Sequence, residues 1–80
     1  MSYAAQTPAQ LGKILHAQRR ERGLNQQQAA ASVGLLPKTI SRLERAPGTA
    51  TLDSLFKLLS ALQLELVVQS KDARPTVREW

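Results

Sequence analysis

Apolar residues recur along this chain at helical spacing in four separate blocks, and then switch once to strict alternation. Leu11, Ile14 and Leu15 mark the first block. Thr7-Pro8-Ala9-Gln10 reads as its start: a Thr N-cap, Pro at the first helical position and Gln three residues after the cap. Arg19, Arg20 and Arg22 crowd its last turn, where cations suit the helix dipole, and Gly23 ends it. Asn25 caps a second, Ala-rich helix whose body runs from Gln26 to Val33, with Gln28 at the third position and Gly34 as the stop. A third helix begins at Leu36 or Pro37 and runs to about Arg45. Ile40 and Leu43 form its apolar side, and Lys38, Ser41, Arg42 and Arg45 its outer side. Ala46-Pro47-Gly48-Thr49 breaks the pattern.

Thr51 caps a fourth helix, for which Leu52, Leu55, Phe56, Leu58, Leu59 and Leu62 are the expected core residues. Its apolar face is the widest in the chain, so it should be the most buried helix. Over 64–69 the period changes to two. Leu64, Leu66 and Val68 alternate with Glu65, Val67 and Gln69, the pattern of a half-buried strand. A lone strand leaves its backbone donors and acceptors unpaired, and the simplest partner is the same strand in a second copy about a two-fold axis. Continuation of the fourth helix through these residues is the alternative. From Ser70 the chain is polar and reads as a mobile tail ending in Val77-Arg78-Glu79-Trp80. The expected organisation is a folded domain over 1–69 and a tail over 70–80.

Eighty residues support one modest core, and without Cys there is no disulfide to reinforce it. Self-association is the remaining common route to stability, so a homodimer is expected. One His excludes a His-rich metal cluster, and the scattered acids offer no paired-carboxylate signature. His16 stands beside Leu15 with no Ser, Asp or Cys spaced for catalysis, and no Gly-rich phosphate loop is present. The expectation is therefore a protein that is not an enzyme, with no catalytic residue, no metal, no cofactor and no small-molecule substrate. No apolar run approaches the roughly 18 residues of a membrane span, and the first residues lack the pattern of a secretory signal. No membrane association and a cytoplasmic location are expected.

The net charge of +5 lies entirely between Lys13 and Arg45, where seven basic residues face only Glu21 and Glu44. A polyanion partner explains this segregation. A basic, solvated helix face explains it as well, so charge alone leaves both readings open. The succession of helix, short Gly-containing turn and helix is more specific, because it is the helix-turn-helix arrangement. Gly34 lies in the turn, where a positive φ is needed. The third helix has the size and the polar outer face of an element that enters the major groove of duplex DNA. Pro37, Lys38, Ser41 and Arg42 are the candidate base contacts; Arg and Lys suit guanine, and Ser is permissive. Asn25, Gln26, Gln27, Thr39 and Arg45 are the candidate phosphate contacts, with Gln26 opening the second helix and Arg45 closing the third. Ordinary helix composition would also account for Gln26 and Gln27, and Gln27 could instead reach a base.

Gly23-Leu24-Asn25-Gln26 through Gly34, followed by Thr39-Ile40-Ser41-Arg42-Leu43-Glu44-Arg45, resembles the Cro/phage-repressor helix-turn-helix family, also called XRE. The resemblance covers about Leu11 to Leu62. Ala29 stands where that family usually has Leu, and Leu36 and Pro37 stand where small polar residues usually begin the recognition helix. A narrower likeness joins Gly34 to Leu52, the single strand candidate and the Glu79-Trp80 ending to the HipB antitoxins. The fold implied is all-α, a four-helix domain plus one C-terminal β-strand, formed by Leu64, Leu66 and Val68, that pairs across a dimer. The family likeness also implies a pair between Arg19 and Glu44 joining helices one and three.

The function implied is autorepression on a double-stranded inverted-repeat operator, together with binding of HipA, a serine/threonine kinase toxin. Trp80 would dock in a toxin pocket; a Trp packed on its own domain is the plainer reading. A stand-alone repressor of the same fold with no toxin is the alternative, and a basic surface that meets an acidic protein is a third.

Overall fold

The computed structural model describes residues 2–71. Its helices are α1 (Pro8–Glu21), α2 (Gln26–Ala31), α3 (Pro37–Arg45) and α4 (Leu52–Ala61), with a short 3-10 turn at Pro47–Thr49 in the segment expected to break the pattern. Side-chain caps explain where three of the helices start. The Thr7 hydroxyl accepts from the Gln10 N–H at 3.2 Å, and the Thr51 hydroxyl from the Ser54 N–H at 3.1 Å. Asn25 and Gln28 complete a reciprocal box at 2.7 and 2.8 Å. The Gln10 side chain does not close the corresponding box on Thr7; it accepts from the Gln6 N–H instead, at 2.6 Å. The start of α3 has no such cap: Leu36 stands at that position and makes no side-chain hydrogen bond. A missing polar cap costs a helix about 1 kcal/mol.

The ends of α1, α2 and α4 rest on left-handed residues. Gly23 and Gly34 both have φ of 71°, and the chain folds back through bonds from the Leu24 N–H to the Arg19 carbonyl (3.2 Å) and from the Leu35 N–H to the Ala30 carbonyl (2.9 Å). The second helix stops at Ala31, two residues before the expected Val33. α4 ends in the same way without glycine. Gln63 adopts φ of 58°, and the Leu64 N–H bonds the Leu59 carbonyl at 2.8 Å. This turn rules out continuation of α4 through 64–69.

One core unites the helices. Leu15, Ile40, Leu43, Leu58 and Leu62 are fully buried, joined by Ala29, Ala30, Leu55 and Leu59. The two alanines let α2 approach α3 closely. Gly12 does the same for α1, because a Cβ there would collide with the Glu44 carbonyl oxygen. The breadth expected of the α4 core face requires correction. Leu52 is 67% exposed and Phe56 49% exposed. The other helices cover only the side of α4 that carries Leu55, Leu58, Leu59 and Leu62, and the rest of its apolar arc faces outward.

The expected strand is not formed within this single chain. Residues 64–70 form no regular element; Leu64 packs against the core, while Leu66, Val67 and Val68 are exposed, Val68 by 92%. Ladder hydrogen bonds need a second backbone, and none of the described residues supplies one to this segment. Trp80 and the tail beyond Lys71 lie outside the described residues. Among the described residues no helix is long and apolar enough to cross a membrane.

Candidate nucleic-acid interface

The exposed side of α3 follows from how the helix is pinned. Ile40 and Leu43 are buried against the core, which turns the opposite side outward. Lys38, Arg42 and Arg45 are exposed there and Ser41 is half-buried. At 3.6 residues per turn these positions form one stripe along the helix. Pro37 is exposed at the leading end, and Thr39 is half-buried. Lys38, Thr39 and Arg42 also line a shallow groove with Thr49, Ala50, Thr51 and Ser54, where α3 meets the start of α4. The hydroxyls of Thr49, Thr51 and Ser54 beside these cations were not anticipated, because they come from a segment that reads locally as a turn and a cap.

The one acid of α3 is withdrawn from this surface. Glu44 is held by Arg19 of α1, with Nε to Oε2 at 2.6 Å and Nη2 to Oε1 at 3.1 Å. Arg19 also donates to the Leu24 carbonyl at 2.9 Å, which ties the α1–α2 turn to the same pair. The two side chains are 10% and 4% exposed, Arg19 and Glu44 respectively. Glu44 Oε1 further meets His16 Nδ1 at 2.9 Å and accepts from Gln26 Nε2 at 3.4 Å. Arg19 Nη2 lies 3.3 Å from the same His16 nitrogen, so the imidazole, the guanidinium and the carboxylate form one cluster.

Burial pushes the Glu44 carboxyl up, but the Arg19 hydrogen bonds outweigh it. With help from His16, the Arg19 charge and Gln26, they hold the group below the ordinary glutamate range. The carboxylate is therefore ionised and neutralised internally. Lys38, Arg42 and Arg45 form no ion pair among the described residues, so their charge is left on the surface.

Beside this cluster lies an open groove of about 320 Å³ lined by Lys13, His16, Gln26, Glu44 and Arg45. It brings two candidate phosphate contacts, Gln26 and Arg45, together across α2 and α3. It adds Lys13 and His16, which the sequence reading had left aside. Their spacing of three on α1 was the available signal, since it places both on one face. Gln27 is exposed at the start of α2. Asn25 is exposed too, but its Oδ1 is occupied by the cap, so only its Nδ2 hydrogens suit a phosphate. Leu64, Leu66 and Val68 are not brought to this surface by any regular element. No group of His, Cys, Asp or Glu among the described residues is arranged to hold a metal ion.

Comparison with known proteins agrees with this geometry. A helix-turn-helix family profile matches residues 15–69. The antitoxin HipB of Escherichia coli K12 is 32% identical over 74 residues, which span 91% of this chain and 84% of that protein. The antitoxin HipB of Escherichia coli O6:H1 is 31% identical over 74 residues, 91% of this chain and 79% of its own. Among solved structures, HipB in the HipA–HipB–O2–O3 complex superposes with a TM-score of 0.83 at 28% identity, covering 88% of this chain and 99% of that one. HipB in its complex with the O4 20-mer gives the same values.

Proposed function

The chain belongs to the helix-turn-helix family and, within it, to the HipB antitoxins; from that premise we propose that it is a transcriptional repressor that binds operator DNA and also holds a HipA-like serine/threonine kinase toxin. It acts by binding rather than by catalysis. The observation that carries this reading is the outer stripe of α3: three cations, Lys38, Arg42 and Arg45, with no ion pair among the described residues, around Ser41, on a helix whose only acid is neutralised from behind.

In the major groove, Lys38, Ser41 and Arg42 reach base edges from the leading half of α3, with Pro37 packed at its tip. Gln26, Gln27, Thr39 and Arg45 take the flanking phosphates, together with the Asn25 amide. Lys13 and His16 extend this phosphate contact through the groove they share with Gln26 and Arg45. The protein works as a homodimer. Leu52 and Phe56 of α4 and Leu66 to Val68 are exposed apolar groups on one protomer, and a second copy covers them. In that assembly Leu64, Leu66 and Val68 pair with the same strand of the second copy across the two-fold axis, which supplies the missing ladder. The operator is then an inverted repeat whose half-sites lie about 34–36 Å apart, one helical turn. The domain spans 1–69, and the tail from 70 to 80 carries Trp80 to the toxin.

The test is fluorescence anisotropy with the inverted repeat nearest upstream of the protein's own reading frame, against a scrambled duplex of equal length. Preference for the repeat and a steep loss of affinity with salt are expected. Equal affinity for both duplexes would refute sequence-specific repression. Co-purification of a kinase encoded beside the gene, lost on deletion of Trp80 while operator binding persists, separates the antitoxin from a stand-alone repressor. Sedimentation equilibrium of Phe56→Ser checks the dimer, which should weaken towards monomer.

A further inference from the structure

Among the described α-helices, α3 alone opens on an apolar residue. Thr7, Asn25 and Thr51 each take the backbone N–H three residues on. Leu36 has no side-chain acceptor, and it is 59% exposed. Its backbone does the structural part: the Leu36 carbonyl accepts from Thr39 at 2.9 Å and from Ile40 at 3.3 Å. The side chain adds nothing to this. It forgoes a polar cap and leaves most of a branched apolar group in water, two costs to the fold.

The other large exposed apolar residues lie elsewhere in the described chain. Tyr3 precedes α1, Leu52 and Phe56 belong to α4, and Leu66 to Val68 follow it. Leu36 is the one in the helix-turn-helix unit, at the end of α3 that leads into the groove. The edges of the base pairs in the major groove carry polar donors and acceptors with one exception, the C5-methyl of thymine. Lys38 and Arg42 are cationic donors suited to guanine, whereas Leu36 offers only an apolar surface, the kind that suits that methyl.

We propose that Leu36 is a specificity-determining residue that packs on the C5-methyl of one thymine in each operator half-site. This deepens the reading of α3 as the groove-entering helix and rests on it. The polar stripe reads guanine, and the uncapped leading end reads thymine.

The experiment uses the full chain and its operator duplex, with each thymine replaced in turn by deoxyuridine. That change removes one methyl and leaves base pairing intact. One symmetry-related thymine per half-site should weaken wild-type binding about fourfold when replaced. That is the worth of one buried methylene at tenfold per 1.4 kcal/mol. Replacement in both half-sites should give about 15-fold, the product of the two. Leu36→Ala should bind the thymine and deoxyuridine duplexes equally, with the affinity of wild type for the deoxyuridine duplex. Leu36→Ser should be equally blind to the methyl and should melt at a higher temperature, because it restores a polar cap.

The assignment is overturned if no replacement affects wild type, if Leu36→Ala keeps the methyl preference, or if Leu36→Ser melts lower, which would place Leu36 in the packing of its own domain. Operator preference without any methyl effect overturns Leu36 alone. Loss of operator preference by wild type overturns the groove-binding reading together with it.

Discussion

Replacing Glu44 by Gln removes one charge from the most enclosed ion pair described in the molecule, and the structure sets how much this should cost. Both partners are nearly buried, with side chains 10% and 4% exposed, so solvent screening gives little relief. Arg19 cannot shed its proton, and after the change its guanidinium keeps only neutral amide acceptors, the Leu24 carbonyl and the new side-chain oxygen, with no charge to balance its own. Removing one member of such a pair costs about 3–5 kcal/mol. A domain of this size holds about 4–12 kcal/mol in all, at the usual 0.05–0.15 per residue. The melting temperature should therefore fall by some tens of degrees, at about 4–8 °C per kcal/mol.

The pH dependence adds a second readout. The folded-state pKa of Glu44 is depressed, so its contribution is complete above the unfolded value of about 4.3 and is lost as pH falls through the lower, folded value. Wild type should lose stability on acidification from about pH 5 downward, and Glu44→Gln should lack that part of the slope. The assay is urea unfolding followed by circular dichroism, at fixed protomer concentration, between pH 7 and pH 3. A cost below about 1 kcal/mol at pH 7, the range of an exposed pair, would refute the reasoning. An unchanged acid slope in the variant would refute it too.

Gly12→Ala should destabilise by about 1–3 kcal/mol, since its methyl meets the Glu44 carbonyl, a backbone atom that cannot swing aside; thermal melting checks this. Gln63→Gly should stabilise by about 1 kcal/mol, because glycine relieves the left-handed conformation that ends α4; a lower melting temperature would contradict it. Arg42→Ala should cost about 1–3 kcal/mol of operator binding and relax preference at one base position, measured on a set of singly substituted operators. Lys13→Ala should instead weaken all duplexes alike and reduce the salt slope of log K by about 0.9, as expected for the loss of one phosphate contact.

The helices themselves were legible because their signals are local. Thr7, Asn25 and Thr51 each act within three residues, and Gly23 and Gly34 supply the backbone geometry that turns the chain. The α3 stripe was legible for the same reason: Ile40 and Leu43 decide which side faces in, and Lys38, Ser41, Arg42 and Arg45 follow by periodicity. The Arg19–Glu44 pair was expected only through resemblance to a family, since the two residues lie 25 positions apart. Their additional ties to His16 and Gln26 were not visible at all.

What tertiary structure alone decided concerns which surfaces meet. Leu52 and Phe56 share the hydrophobic character of Leu55 and Leu59, yet the first pair faces outward and the second is buried. Periodicity defines an apolar arc, but the area available to cover it depends on where the other helices come to rest. The same holds for residues 64–69. Alternation prepares a strand, but a strand exists only when a second backbone completes its hydrogen bonds, and no residue within that segment can encode where the second backbone is.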